Sequence, residues 1–216
     1  MTRTMMMAAV AMTIACNQGS QPAAGGGMAA ATNDTTRAST TSQVMPVAAQ
    51  GPRNATPIVV TSSTFTAGGT MPLSTVFNAF GCTGGNASPA LAWSGFPAET
   101  KSFAVTLWDP DAPTGLGYVH WLVFNVPATV TSLAANAGSS ATPGGGITGY
   151  PDFGTHSYGG PCPPPGDAPH RYIFTVSALD VAKIEGAGPG TTLATLNFMM
   201  RGHLLAQGTL EGKFGR

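Results

Sequence analysis

The side chains able to do chemistry in this chain are few, and they fall into three short stretches. Asp109-Pro110-Asp111-Ala112-Pro113 places two carboxylates at the end of an apolar run, Ser102 to Trp108. His120 lies near the start of a second run, Tyr118 to Val126. His170 and Tyr172 stand at the start of a third, Arg171 to Leu179. A carboxylate beside an imidazole fixes its tautomer and favours its protonated form, which can meet an anion; a carboxylate alone can meet an ammonium. The same residue types could ligate a divalent metal or move protons in a hydrolase. The HExxH and paired CxxC spacings that would argue for metal are absent, as are a G-x-S-x-G elbow and a P-loop. The residue types alone leave ligand binding, metal ligation and acid–base catalysis open, with no motif that argues for metal or cofactor.

The elements that must carry these residues read as strands. With side chains alternating at period two, His120, Leu122, Phe124 and Val126 share one face, and Val119, Trp121 and Val123 the other. Tyr172, Phe174 and Val176 share a face with His170 in line. Asp109 stands where Pro110 must end its strand. If the three strands pair antiparallel, the exit of one and the starts of the others lie at one end of a sheet, and the carboxylates, histidines and tyrosine converge on one rim. Ile58 to Val60 and Leu91 to Trp93 read as further strands, and Leu204, Ala206, Gly208, Leu210 and Phe214 keep period two near the end. One helix is expected over Thr192 to Met200, capped by Thr191 or Thr192, with Leu193, Leu196 and Met200 inward. The Gly/Ala/Ser-rich stretch from Thr131 to Tyr150 reads as a mobile loop. Trp93, Trp108 and Trp121 read as core, and His156 and His203 as structural or solvated. The fold class expected is all-β: a β-sandwich, β-rich with minor helix.

The segment Tyr158-Gly159-Gly160-Pro161-Cys162-Pro163-Pro164-Pro165-Gly166 is the other unusual stretch. Glycine lets backbone N–H groups approach a ligand, while proline stiffens the loop. Gly160 and Pro161 are therefore candidate elements of a small anion site built from amides; a rigid connection without a ligand is the alternative.

Composition narrows the classes. Of 216 residues, 8% are charged, against roughly 25% in ordinary soluble domains, and the 9 basic side chains balance the 9 acidic ones. That charge distribution lacks the basic footprint of a nucleic-acid binder. Arg3, an apolar run from Met5 to Ala15 and a polar stretch after Cys16 read as a signal segment over 1–15. Ala15-Cys16 resembles a bacterial lipobox, although Thr13 replaces its usual aliphatic residue. Cys16 is then the lipidated residue of a membrane-anchored, exported protein (periplasmic or cell-surface), with plain secretion as the alternative. Residues 16–57 are poor in large apolar side chains and read as a flexible tether, and 58–216 as the folded domain. With Cys16 acylated, Cys82 and Cys162 are the remaining cysteines, outside the reducing cytosol, and a disulfide between them is expected; two buried thiols are the alternative.

The order of Asp109–Pro113, Tyr118-Val119-His120-Trp121, the Gly-Gly-Pro-Cys-Pro-Pro-Pro-Gly loop and His170-Arg171-Tyr172 resembles the phosphatidylethanolamine-binding protein family. The likeness is greatest to its bacterial YbhB/YbcL, or Raf-kinase-inhibitor-like, branch. Phe80-Gly81-Cys82, Gly85-Asn86, Ser88-Pro89-Ala90-Leu91, Trp93-Ser94-Gly95 and Gly202-His203 agree. The resemblance implies a central antiparallel sheet packed on a second sheet, with an anion-accepting pocket at one end. By motif position it carries the family's pocket residues onto Asp109, His120, Gly160, His170 and Tyr172, with Asp111 matching the motif. Animal members carry a helix after their last strand, so a chain ending at Arg216 implies a more open pocket. The function implied is an exported binding protein for phosphate or a phosphorylated or zwitterionic head group such as phosphoethanolamine. An inhibitor or regulator of a partner enzyme, acting through the same face, and an acid–base hydrolase using Asp109, His120 and His170 are the alternatives.

Overall fold

The computed structural model describes residues 57–216; the signal segment over 1–15, Cys16 and nearly all of the tether over 16–57 lie outside them. The described chain forms eight strands and one α-helix: β1 (Val59–Thr61), β2 (Leu91–Ser94), β3 (Ser102–Asp109), β4 (Tyr118–Pro127), β5 (Ser132–Leu133), β6 (Ile147–Thr148), β7 (His170–Leu179), α1 (Leu193–Met199) and β8 (Leu204–Phe214). They make two antiparallel sheets, ordered β1-β2-β5 and β6-β4-β3-β7-β8.

The sequence of β3 explains its central place. A strand covered on both faces reads as a nearly continuous apolar run, and Ser102 to Leu107 are all buried. One face carries Phe103, Val105 and Leu107 into the core between the sheets, with Trp93, Trp121, Tyr172 and Phe174. The other face packs Ala104 with Leu122, Phe124 and Leu179 beneath Leu196 and Met200 of the α1 region. That helix is capped as expected, with the Thr192 side chain accepting from the Thr195 amide. Leu196 is wholly buried, and Leu193 only half-buried.

Two irregularities of β4 correct the face assignment read from strict alternation. Along β3 the partner moves from Val126 opposite Phe103 to Val123 opposite Val105, and from Trp121 opposite Leu107 to Val119 opposite Trp108. Each step leaves one extra residue on β4, which is a β-bulge. The first coincides with Asn125, whose φ is 58°, and turns Val126 into the core with Trp121 and Val123. The second leaves out His120, so Val119 joins the Leu122 and Phe124 face. His120 is thereby re-aimed, out of the alternation.

Two further expectations are corrected. The stretch Thr131 to Tyr150 is not a featureless loop: it carries β5 and β6, which occupy edge places in the two sheets, and two short 3-10 turns. Trp108 is not core. It faces outward, half-buried, and its indole N–H donates to the Leu116 carbonyl at 3.3 Å. His156 and His203 do take structural partners: the Gly149 carbonyl at 3.1 Å and Asp180 at 2.9 Å.

Candidate functional site

Because β3 runs antiparallel to both β4 and β7, its C-terminal end lies between their starts. Asp109 follows Phe103, Val105 and Leu107 on the inner face, and His170 precedes Tyr172, Phe174 and Val176 on theirs. The intersheet core thus ends in polar groups: Asp109, His120 and His170 are each 3–4% exposed, and Tyr172 is fully buried. They line a cavity of about 220 Å³ together with Phe80, Tyr118, Phe153, Thr114 and Cys162 to Pro164.

The hydrogen bonds set the state of each group. Asp109 Oδ1 accepts from the amides of Asp111 (2.8 Å) and Ala112 (3.1 Å), which ties the post-strand turn to the carboxylate. Asp109 Oδ2 lies 2.8 Å from His170 Nδ1; a carboxylate accepts, so Nδ1 carries the proton. His170 Nε2 lies 3.5 Å from Asp167 on the outer side. His120 Nδ1 donates to the Gly159 carbonyl at 2.8 Å. Burial, outweighing that carbonyl and Asp109, holds the His120 pKa below the ordinary imidazole value. Neutral His120 then presents a bare Nε2, 4.0 Å from Asp109 Oδ2. Burial also raises the Tyr172 pKa. Among the described residues its hydroxyl has no hydrogen-bond partner, although the Cys162 amide leans towards it. The cavity therefore offers two acceptors, Asp109 Oδ2 and His120 Nε2, close to an unspent tyrosyl O–H.

Of the residues singled out from sequence, Asp109, His120, His170 and Tyr172 meet. Three others do not. Asp111 turns out of the cavity and grips Arg171 in a fork, 2.9 Å to Nε and 2.7 Å to Nη2, so its pKa is lowered by that guanidinium. The Gly160 amide, expected to face an anion, donates to Asn86 Oδ1 at 2.8 Å. A side chain at Gly160 would come within 2.0 Å of the Thr75 carbonyl, so glycine there serves packing against the Thr75–Val76 backbone. Pro161 is buried, its carbonyl accepting from the Phe77 amide at 3.0 Å. Gly160 and Pro161 thus shape the loop from behind, and the cavity wall is made by Cys162, Pro163 and Pro164. The expected disulfide is present, joining Cys82 to Cys162 with Cα atoms 6.0 Å apart.

Several contributors carried no sequence signal as site residues. Phe153 packs edge-on against Tyr118 (5.0 Å) and His120 (5.3 Å), closing one side. Phe80 comes from a distant turn, and Asn86, noted only as part of a motif, holds Gly160. Among the described residues no group of three or more His, Cys, Asp or Glu side chains could hold a metal ion.

Comparison with known proteins bears on the same residues. Residues 61–215 match the family model described as phosphatidylethanolamine-binding protein. The chain is 48% identical over 150 residues to Escherichia coli YbcL, covering 68% of this chain and 81% of that one. It is 45% identical over 149 residues to E. coli YbhB, covering 68% and 93%. LppC of Mycobacterium tuberculosis, by name a candidate lipoprotein, is 38% identical over 149 residues, covering 68% and 65%. The crystal structure of E. coli YbcL, described as a member of the mammalian PEBP family, superposes with a TM-score of 0.70 at 44% identity, covering 74% of this chain and 99% of that one.

Proposed function

The chain belongs to the phosphatidylethanolamine-binding protein family, and on that premise we propose that its domain is an exported binding module for phosphate or a phosphorylated, zwitterionic head group such as phosphoethanolamine. The observation that carries this reading is the set of polar groups at the end of the intersheet core. Asp109 Oδ2 and His120 Nε2, 4.0 Å apart, are both acceptors, so the ligand atom between them must bring a proton. The unspent Tyr172 hydroxyl asks for an acceptor. A phosphate that keeps one P–OH has both, and so does a phosphate carrying an ammonium on a short stem. A cavity of about 220 Å³ is below the roughly 300–1,000 Å³ usual for drug-sized ligands, which suits a head group without its acyl chains.

Export rests on the N-terminal pattern of Arg3, the apolar run to Ala15, and Cys16, supported by the relative named as a candidate lipoprotein. In this reading acylated Cys16 tethers the pocket to a membrane.

The test is calorimetric titration with O-phosphoethanolamine, inorganic phosphate and ethanolamine in parallel. Loss of one charge-assisted hydrogen bond costs about 1–3 kcal/mol. His120→Ala, which removes the Nε2 acceptor, should therefore weaken phosphoethanolamine binding by roughly 5- to 150-fold. Unchanged affinity in that variant sinks the assignment.

A further inference from the structure

One wall of the pocket carries a disulfide cysteine beside a backbone turn in a rarely adopted conformation. Cys162 lines the cavity and is half-buried, whereas its disulfide partner Cys82 is 7% exposed. Thiol–disulfide exchange begins at whichever sulfur the thiolate can reach. Of the two cysteines Cys162 is the more exposed, and it is the one that lines the ligand cavity.

What the bridge holds is the turn from Ala79 to Cys82. Phe80 stands in that turn with its side chain 75% exposed and lining the cavity. Its φ is 55°, a left-handed conformation that bulky L-residues rarely adopt and that persists only where surroundings impose it. Cys162 Sγ lies 3.6 Å from the Ala79 carbonyl and 3.7 Å from that of Phe80. An oxidised sulfur has no proton to donate, so these are contacts that the bridge itself enforces. A second tie joins the same two segments. The Arg216 guanidinium donates to the carbonyls of Gly81 (2.8 Å), Phe80 (3.2 Å) and Pro163 (2.7 Å), spanning the turn and the pocket loop. Phe80 is thus held at the pocket by one covalent and one hydrogen-bonded clamp.

We propose that Cys162 is a thiolation site and the Cys82–Cys162 bridge a latch on the pocket mouth: a small aliphatic thiol entering the cavity exchanges at Cys162 and frees the Phe80 turn. The thiolate RS⁻ attacks Cys162 Sγ, forming an RS–S bond. The Cys82–Cys162 bond breaks, its electron pair leaves on Cys82, and that thiolate takes a proton from water. The products are a mixed disulfide at Cys162 and a thiol at Cys82. The reverse attack, Cys82 thiolate on Cys162 Sγ, expels RS⁻ and closes the latch, with no further oxidant or reductant. Arg216 keeps the freed turn beside the loop, so it is a positioning residue for re-closure. The latch rests on the shape of the pocket, not on the identity of its ligand.

The experiment uses the full chain, non-reduced, with any free thiol first alkylated. It is then exposed under native conditions to 2-mercaptoethanol or to glutathione, acid-quenched and mapped by peptide mass. The expected adduct is on Cys162, with Cys82 newly alkylatable. 2-Mercaptoethanol should outpace glutathione by several-fold more than it does on an oxidised peptide pair of the same two sequences. Arg216→Ala should raise the trapped fraction of mixed disulfide several-fold, and Arg216→Lys should recover part of the re-closure. An adduct on Cys82, exchange no faster than global unfolding measured by hydrogen exchange, or peptide-like size dependence would overturn the proposal. All of these readouts are masses, so a protein that fails to bind phosphoethanolamine yet shows them refutes the ligand assignment and keeps the latch.

Discussion

His120 is the residue on which the electrostatic description of the site can be tested most directly. It is 4% exposed, and burial holds its pKa below the ordinary imidazole value despite the Gly159 carbonyl and Asp109. The unfolded chain, with an ordinary pKa near 6.5, therefore takes up a proton more readily than the folded one. The sign follows: the contribution is fully present above about pH 6.5 and is lost as pH falls towards the lowered folded-state pKa, at up to ~1.4 kcal/mol per pH unit. Between pH 7.5 and 5.5 this one group can remove up to about 1.4 kcal/mol, or roughly 3–6 °C in Tm for a domain of this size. The groups facing the ring are Asp109, Tyr118, Phe153 and Tyr172. Asp109 and Asp152 are the acidic side chains that act on the ring, and both are present in both proteins of the comparison. His120→Asn places an amide N–H where it can still reach the Gly159 carbonyl and does not titrate. Urea unfolding of both proteins at pH 7.5, 6.5 and 5.5 should show the wild type losing about 1 kcal/mol more than the variant. Parallel stability curves for the two would refute the claim that His120 is buried neutral.

Other expectations follow from the same contacts. Arg171→Ala breaks the fork to Asp111, but both partners are substantially exposed, so the loss in chemical denaturation should stay at or below about 1 kcal/mol. Phosphoethanolamine affinity should hardly move, and a tenfold loss would put Asp111 back in the site. Asn86→Ala leaves the Gly160 amide without its acceptor and should cost about 1–3 kcal/mol, read as a lowered Tm; no change would mean that water or another group replaces Asn86. Cys16→Ser should move the protein from the membrane to the soluble fraction with its domain still folded. A wild type that fractionates as soluble, with a mature N-terminus beyond Cys16, refutes the anchor.

The legible parts of this fold were those governed by side-chain type along a single strand. The β3, β4 and β7 runs declare themselves by β-branched and aromatic content, and Pro110 marks where β3 must stop. Placing Asp109, His170 and Tyr172 at one end needed only antiparallel pairing, because all three obey strict alternation. His120 reached the same place by a different route. It is the residue left over at a bulge, and a bulge depends on how two strands are tethered at their ends, which neither strand states alone. Gly160 misled for a related reason. Glycine beside proline is equally what an amide anion site and a tightly packed loop require, and the competing acceptor, Asn86, lies 74 residues away in sequence. Phe153 carries no charge or motif, and Phe80 only a motif without a role; the folded chain is what brings them to the cavity.

The charge of the pocket constrains its ligand more than its shape does. Among the described residues no Lys or Arg side chain lines the cavity, and Arg171, next in sequence to His170 and Tyr172, is committed to Asp111. Opposite a fully ionised phosphate, the buried Asp109 carboxylate would be repulsive, by about 4 kcal/mol at 4 Å and an effective dielectric of 20. Two ways out exist, and both use protons rather than fixed cations. The ligand can arrive as a monoanion whose P–OH is donated into the gap between Asp109 Oδ2 and His120 Nε2, or it can carry an ammonium that meets Asp109 directly. Each makes binding depend on a proton that belongs to the ligand. Affinity for inorganic phosphate should therefore rise as pH falls through its second pKa, until His120 itself is titrated. Phosphoethanolamine, whose ammonium persists across that range, should show a flatter profile. Two coincident pH profiles by calorimetry would refute this, because the discriminating proton would then sit on the protein and not on the ligand.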